Sequence, residues 1–186
     1  NAAKVRDVKA ALAASLDLDP SALRAQVHNV EHHQAHIASA FLVSPFDEAA
    51  IVSVDGFGDF ASLMTAAGRG NGYRVLDRVL FPHSLGIFYS ALTQWLGFPH
   101  YGDEGKVMGL APYGDPSARA KAMADLVRPA GDFFELNLDY FSHDKEGVDM
   151  TWDEGSPRIG RVFSDKLVEV FGAPRGEHEE ITQHHR

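Results

Sequence analysis

Residues 49–67 read AAIVSVDGFGDFASLMTAA, and this stretch decides the fold class. Its first six residues are apolar and partly β-branched, and glycines follow them, which is typical of a buried strand that leads into a turn. Residues 61–67 predict a second strand, and the alternation over residues 73–81 predicts a third. Because only short glycine-containing segments separate these runs, the sequence predicts a three-stranded antiparallel meander.

Helical patterns lie on both sides of the meander. Apolar residues recur there every three or four positions, the spacing of a helix with one buried face. Ser84 is placed to cap one of these helices and Gly97 to end it. Residues 129–155 mix aromatic residues with turn formers and predict no clear element. The predicted helices cover residues 3–16, 31–41, 85–96, 103–110, 117–127 and 158–171, and residues 177–186 begin a further one.

Composition bounds the class of protein. The chain has 186 residues, of which 45% are hydrophobic and 23% are charged, as expected for one globular unit. Its 17 Lys and Arg residues against 26 Asp and Glu residues leave a net charge of −9, which disfavours a nucleic-acid partner. The absence of cysteine excludes disulfides and thiolate metal ligands. No run approaches the ~18 apolar residues of a membrane span, so we expect no membrane contact and a cytoplasmic location. The chain begins with Asn1 and stops inside a helical pattern, so we expect it to be a piece of a longer protein.

Histidine is dense in residues 27–36, VHNVEHHQAH. His32 and His36 lie four residues apart in a predicted helix, which places their Cβ atoms ~5–6 Å from each other on one face. That separation suits two imidazoles that bind one metal ion. The alternative is a pair of surface or capping histidines on a polar helix face. A third ligand, expected to be a carboxylate, has to come from elsewhere, and spacing selects none.

The loop that follows the first predicted strand carries Asp55, Gly56, Gly58 and Asp59. Glycines allow a ligand to approach the main chain, so that backbone N–H groups face phosphate oxygens. The two carboxylates are suited to holding a hydrated divalent ion or to orienting a hydroxyl nucleophile. The alternative is a tight hairpin whose Asp residues only make turn hydrogen bonds.

A third candidate region is rich in glycine and proline, over residues 81–86 and 102–114. Such a composition predicts backbone that approaches another group closely. Within it, Lys106 is suited to neutralising a phosphate or to pairing with Glu104. The alternative is a solvated or ion-paired lysine without a ligand.

Four blocks of this chain together resemble the O-carbamoyltransferases of nodulation-factor and antibiotic biosynthesis. They occur in the order EHHQAHIASAF with SPF, VDGFGD, FPHSLG, and KVMGLAPYG. The resemblance covers about residues 20–186. It implies an N-terminal transferase domain of the actin, heat-shock chaperone and sugar kinase superfamily, an α/β, ribonuclease H-like fold. Residues 1–48 are then the helical end of its first half and residues 49–186 the opening of its second half, and both halves are incomplete.

The resemblance also implies a reaction. ATP and carbamoyl phosphate give carbamoyl-adenylate, and the carbamoyl group then passes to a hydroxyl of a small-molecule acceptor. The C-terminal adenylate-forming domain of the family is missing from this chain. Iron or another divalent metal is the implied cofactor, beside ATP or carbamoyl-adenylate and magnesium. The acceptor stays open among an aminoglycoside, a β-lactam precursor, a sugar and a lipo-oligosaccharide.

Carried over to this sequence, the family implies specific roles. The third metal ligand, an Asp, is expected after Arg186, and residues 55–59 match the superfamily's nucleotide-phosphate turn. By that resemblance His32 and His36 are the expected metal ligands. Together with the chemistry of the residues themselves, this predicts Gly56, Gly58, Glu104 and Lys106 for the nucleotide and Asp55 or Asp59 for deprotonating the acceptor.

Two other functions remain as alternatives. One is a tRNA threonylcarbamoyl transferase, which uses a related domain; the acidic balance and the PHSLG and MGLAPYG blocks disfavour it. The other is a metal- or nucleotide-binding fragment without activity of its own, since two ligands and half a cleft do not preorganise a transition state.

Overall fold

The computed structural model of this chain describes residues 7–153 and 155–185. The chain forms two compact units, Asn1–Glu31 and His32–Arg186. The boundary between them precedes the helix that carries the histidine pair. The division expected at residue 48 concerns the halves of a superfamily domain, and it stays a prediction, as does the superfamily itself.

The first unit holds helix α1 (Val8–Ser15) and a 3-10 turn at Pro20–Ala22. The predicted apolar stripe of α1 is not buried in its described part, because Val8, Leu12 and Leu16 are exposed. The fourth member of that stripe, Val5, lies outside the described residues. The first unit's described elements are this eight-residue helix and a single 3-10 turn, which offers little apolar surface to cover the stripe.

The second unit begins with α2 (His32–Phe41), followed by the predicted meander of β1 (Glu48–Gly58), β2 (Ala61–Arg69) and β3 (Gly72–Leu80). The strands are antiparallel in the order β1-β2-β3, so the predicted sheet is confirmed. Helix α2 packs on β1 and β2. The small core between helix and sheet consists of Ile37, Phe41, Ile51, Met64 and Ala66.

The hairpin between β1 and β2 turns later than the sequence predicts. Gly56 and Gly58, expected in the turn, lie within β1, and the pairing with β2 is irregular between Val54 and Gly58. The turn itself is Asp59 and Phe60, with φ angles of +49° and +67°. A two-residue hairpin turn of this kind requires positive φ at both central positions, and Asp tolerates that conformation well. The turn therefore does not require Gly56 and Gly58.

Helix α3 (Leu85–Trp95) follows the sheet as predicted. The Ser84 hydroxyl accepts a hydrogen bond from Ile87 N, and Gly97 has a φ of +76° just after the helix end. The second core lies around α3. The remaining elements are α4 (Glu104–Leu110), α5 (Ala120–Leu126), β4 (Val127–Ala130), β5 (Phe133–Leu136), α6 (His143–Glu146), β6 (Met150–Asp153), β7 (Ser156–Ile159) and α7 (Asp165–Phe171).

Two helical predictions near the C-terminus are wrong. The helix predicted over residues 158–171 begins only at Asp165, because the preceding residues pair elsewhere. Strand β7 pairs with β6, Arg158 bridges to His100, and Phe163 bridges to Phe141. In residues 177–185 the structure has only a 3-10 turn, Gln183–His185. For residues 158–164, pairing with distant segments outweighed the local helical pattern.

Among the residues that the structure describes, no helix combines the length and apolar character needed to cross a membrane.

Candidate metal centre

The first turns of α2 bring two imidazoles together. The Nε2 atoms of His32 and His36 lie 3.1 Å apart, and the ring centroids are separated by 4.6 Å. This is the arrangement that four-residue spacing on one helix predicts. Both rings are partly exposed, so an ion from solvent has access to them.

Asp55 supplies a carboxylate to the same point. Its Oδ2 atom lies 2.7 Å from His32 Nε2 and 3.5 Å from His36 Nε2. One possible ligand atom from each of the three residues falls within 4.8 Å of the others. The sequence suits Asp55 to holding a divalent ion or to deprotonating the acceptor, and the fold makes it a candidate third ligand beside the histidine pair. A further Asp after Arg186 stays a prediction.

The Asp55 carboxyl is held in its ionised form. Partial burial raises its pKa, but hydrogen bonds from His32 and the Gly56 N–H, together with the charges of His32 and His36, outweigh burial and leave the pKa below its ordinary value. An ionised carboxylate is the form that binds a metal ion.

His33 has a different environment from its neighbours. Its ring is fully buried, with Nδ1 2.8 Å from Ser53 Oγ and Nε2 3.0 Å from the carbonyl oxygen of Ala61. Because a carbonyl only accepts, Nε2 donates to Ala61 and Nδ1 accepts from the Ser53 hydroxyl. His33 therefore attaches α2 to β1 and β2 and is a structural residue.

The two glycines of β1 have separate roles. A Cβ atom at Gly58 would lie 2.0 Å from Cδ2 of His32, so only glycine allows the His32 ring to occupy its position. A Cβ at Gly56 would meet nothing within 4 Å, so the space on that side of the residue is open. Its N–H donates to Asp55 Oδ1 at 2.6 Å.

Asp59 lies at the start of α2. Its Oδ2 accepts a hydrogen bond from the main-chain N–H of His32 at 2.9 Å. The first N–H groups of a helix have no partner within the helix, and a carboxylate there is favourable for both hydrogen bonding and the helix dipole. Asp59 thus caps the helix that carries the histidine pair.

A cleft of about 590 Å³ adjoins Asp55 and also contains Glu104. The Glu104 side chain is fixed in it, since Oε1 accepts from Ser90 Oγ at 2.8 Å and Oε2 accepts from Gly102 N at 3.0 Å. Asp55, Gly56 and Glu104 therefore line one cavity, and the nucleotide-binding role expected of Gly56 and Glu104 stays a prediction.

Lys106 has another partner. Its Nζ pairs with Asp103 Oδ1 at 2.7 Å and lies 5.6 Å from the centre of the Phe98 ring. Sequence reasoning considered a pair with Glu104 and missed Asp103, although a spacing of three residues on a helix is the usual signal for such a pair. Asp103 is buried, which raises its pKa, but hydrogen bonds from Lys106 and His100 N with the Lys106 charge bring the pKa below its ordinary value.

Comparison with known families decides the class of this chain. The family model described as carbamoyltransferase N-terminus matches residues 4–180. The chain belongs to this family. The resemblance seen in the sequence blocks is thereby confirmed at the level of the family.

Curated relatives agree with this assignment. The chain is 46% identical over 167 residues to nodulation protein NolO of Bradyrhizobium diazoefficiens, which covers 84% of this chain and 28% of NolO. It is 42% identical over 146 residues to the uncharacterized protein sll1178 of Synechocystis sp., with 78% of this chain and 22% of that protein covered. Nodulation protein NolNO of Sinorhizobium fredii is 43% identical over 101 residues, which is 54% of this chain and 14% of NolNO. This carbamoyltransferase-family chain thus spans less than a third of these relatives.

Proposed function

We propose that this chain is part of an O-carbamoyltransferase that transfers a carbamoyl group from carbamoyl-adenylate to a hydroxyl of a small-molecule acceptor. The observation that carries the proposal is the convergence of His32, His36 and Asp55 beside the cleft that contains Glu104. Family membership supports the carbamoyl group as the one transferred. It also favours this function over transfer to tRNA.

The donor atoms of the centre fit the metal that the family implies. Two imidazoles and one carboxylate with open positions are a typical ligand set of non-haem ferrous sites and also suit other divalent transition metals. His32, His36 and Asp55 would hold the ion. When bound, it supplies Lewis acidity toward a carbamoyl or phosphate oxygen.

The residues of the cleft bind and orient the substrates. Gly56, which has open space on the side where a side chain would project, permits close approach of the adenylate there. Glu104, held by Ser90 and Gly102, has carboxylate lone pairs left over to accept hydrogen bonds from hydroxyl groups. The cleft therefore suits a ribose or a polyhydroxylated acceptor.

In the transfer, the acceptor oxygen forms a bond to the carbamoyl carbon while the bond from that carbon to the phosphate oxygen breaks, and AMP leaves. The hydroxyl proton passes to a base. Asp55 and Asp59 both have a carboxylate oxygen within hydrogen-bond distance of His32, so both adjoin the centre, and both are candidates for accepting the proton.

The test uses the full-length enzyme with His32→Ala and His36→Ala. We expect both variants to lose bound iron or other divalent metal and carbamoyl transfer, because one ligand fewer weakens the centre. The readouts are metal content and carbamoylated product by mass spectrometry, with ATP, carbamoyl phosphate and a panel of an aminoglycoside, a simple sugar and a chitin oligosaccharide. His178→Ala, at an exposed histidine, is the matched control. Full turnover by a variant without metal would contradict the role that the proposal gives to the metal centre.

A further inference from the structure

The segment of residues 81–86 approaches the main chain beside Asp55. Ser84 is fully buried, and its hydroxyl donates to the Gly56 carbonyl oxygen at 2.6 Å while accepting from Ile87 N at 3.1 Å. A single side chain therefore joins the first turn of α3 to the segment that carries the candidate ligand Asp55.

Gly86 makes the contact between these two segments possible. A Cβ atom at this position would lie 2.7 Å from Gly56 Cα and 2.8 Å from Gly56 N. Both atoms belong to the backbone, so they cannot move aside as the end of a flexible side chain does. The close approach that the sequence predicts for residues 81–86 is made to the main chain of β1.

The segment is held from its other side as well. The ring of His143 is fully buried and its Nε2 donates to the Pro82 carbonyl oxygen at 2.7 Å. Ser62 Oγ donates to the His83 carbonyl oxygen at 2.5 Å. Consecutive carbonyl groups are thus fixed by side chains from other parts of the fold, which makes the segment a firm support.

This support matters because regular strand pairing does not hold Asp55 in place. The helix itself sets the separation of His32 and His36, whereas Asp55 lies in the irregular part of β1 between Val54 and Gly58, where the register with β2 is interrupted. A residue outside a regular ladder depends on other hydrogen bonds for its position.

We propose that Ser84 and Gly86 are positioning residues of the metal centre, which hold the main chain of Asp55 and Gly56 so that the Asp55 carboxylate meets His32 and His36. This inference rests on the proposed metal-binding function. Groups that orient a ligand from outside the coordination sphere commonly change metal affinity 10- to 100-fold when removed.

The experiment measures metal affinity in the full-length protein, with Fe²⁺ under anaerobic conditions and with Co²⁺ as a spectroscopic probe. We expect Ser84→Ala and Gly86→Ala to weaken binding about 10- to 100-fold and to change the Co²⁺ absorption spectrum, because the carboxylate ligand is displaced. Ser84→Cys keeps a side chain of the same shape, slightly larger and with a weaker donor, so it decides the question if the other two variants do not fold.

Matched controls separate positioning from general damage. Ser142→Ala removes another buried hydroxyl, which donates to the Arg161 carbonyl oxygen at 2.9 Å. Gly109→Ala adds a methyl group to a helical glycine that has nothing within 4 Å. Loss of affinity in the Ser84 and Gly86 variants but not in these controls supports the proposal.

The outcomes also separate this inference from the proposed function. If the wild type binds metal, His32→Ala abolishes binding and the folded Ser84 and Gly86 variants bind as tightly as the controls, the positioning role is wrong and the metal function stands. If the wild type binds neither Fe²⁺ nor Co²⁺, both are wrong.

Discussion

The two ends of helix α3 are held by contacts of the same kind, but they adjoin different parts of the fold. At its start, Gly86 abuts the main chain of Gly56, and at its end a Cβ on Gly97 would lie 2.6 Å from the Arg175 carbonyl oxygen. At each end a buried side chain donates to carbonyl groups, Ser84 at the start and Arg175 at the end. The comparison shows that similar contacts hold the strand end that carries the candidate ligand Asp55 in one place and the hydrophobic core in the other.

The difference lies in what each end touches. The start of α3 contacts the irregular end of β1, where the Asp55 side chain is partly exposed. The end contacts the apolar cluster of Trp95, Leu96 and Phe171, where the Arg175 guanidinium donates to the carbonyl groups of Leu96 and Gly97. Substitutions at the start of α3 should therefore affect the metal centre, and substitutions at its end should affect the stability of the fold.

The largest expected effect is that of Arg175→Ala. The carbonyl oxygens of Leu96 and Gly97 lose their buried donors, so the free energy of unfolding should fall by about 2–4 kcal/mol. Denaturant titration measures this fall, with the exposed Arg69→Ala as a control. The comparison fails if Arg175→Ala weakens metal binding in the folded protein as strongly as Ser84→Ala does.

Gly97→Ala should come next. The positive φ and the nearby Arg175 carbonyl make any side chain costly, and we expect a loss of about 1–3 kcal/mol in the free energy of unfolding. Metal titration of the folded variant should match the wild type. An affinity loss equal to that of Gly86→Ala would show that the two ends of α3 do not differ in function.

A smaller effect is expected for the pH dependence of stability. Burial lowers the pKa of His143, so the folded protein keeps this ring neutral where the unfolded chain takes up a proton. Stability should therefore fall as the pH falls below about 6.5, the ordinary histidine pKa, and be retained above it. Chemical denaturation at several pH values between 8 and 5 gives the free energy of unfolding. This free energy should change less with pH in His143→Gln than in the wild type and in His178→Gln. The same pH dependence of the free energy of unfolding in all three proteins would contradict this account of the buried ring.

The smallest change is expected at Asp59, on the helix side of the centre. Asp59→Ala removes the cap on His32 N and should lower the free energy of unfolding by about 1 kcal/mol, whereas Asp59→Asn keeps an oxygen acceptor and should lose less. Measuring carbamoyl transfer by both variants distinguishes a role of Asp59 as a helix cap from a role as the base that accepts the proton. Near-normal turnover in Asp59→Asn assigns Asp59 to positioning, and loss of turnover in a stable Asp59→Asn variant assigns it to proton transfer.

Several features could be predicted because they depend on neighbours in the chain. Strand alternation, the Ser84 cap and the Gly97 stop are local, and the structure confirms them. The spacing of His32 and His36 is likewise a property of one helix. Residues 158–164 and Lys106 were different, because β-pairing and the Asp103 carboxylate decided their environment.

The sequence by itself determined the α/β class, the meander and the pair of imidazoles on one helical face, since periodicity and spacing act over a few residues. Only the tertiary structure decided that Asp55 meets the pair, that His33 is a structural residue and that Ser84 bonds to the main chain of Gly56. These contacts join segments 20 or more residues apart. Their geometry depends on how helix and sheet pack, which local patterns do not contain.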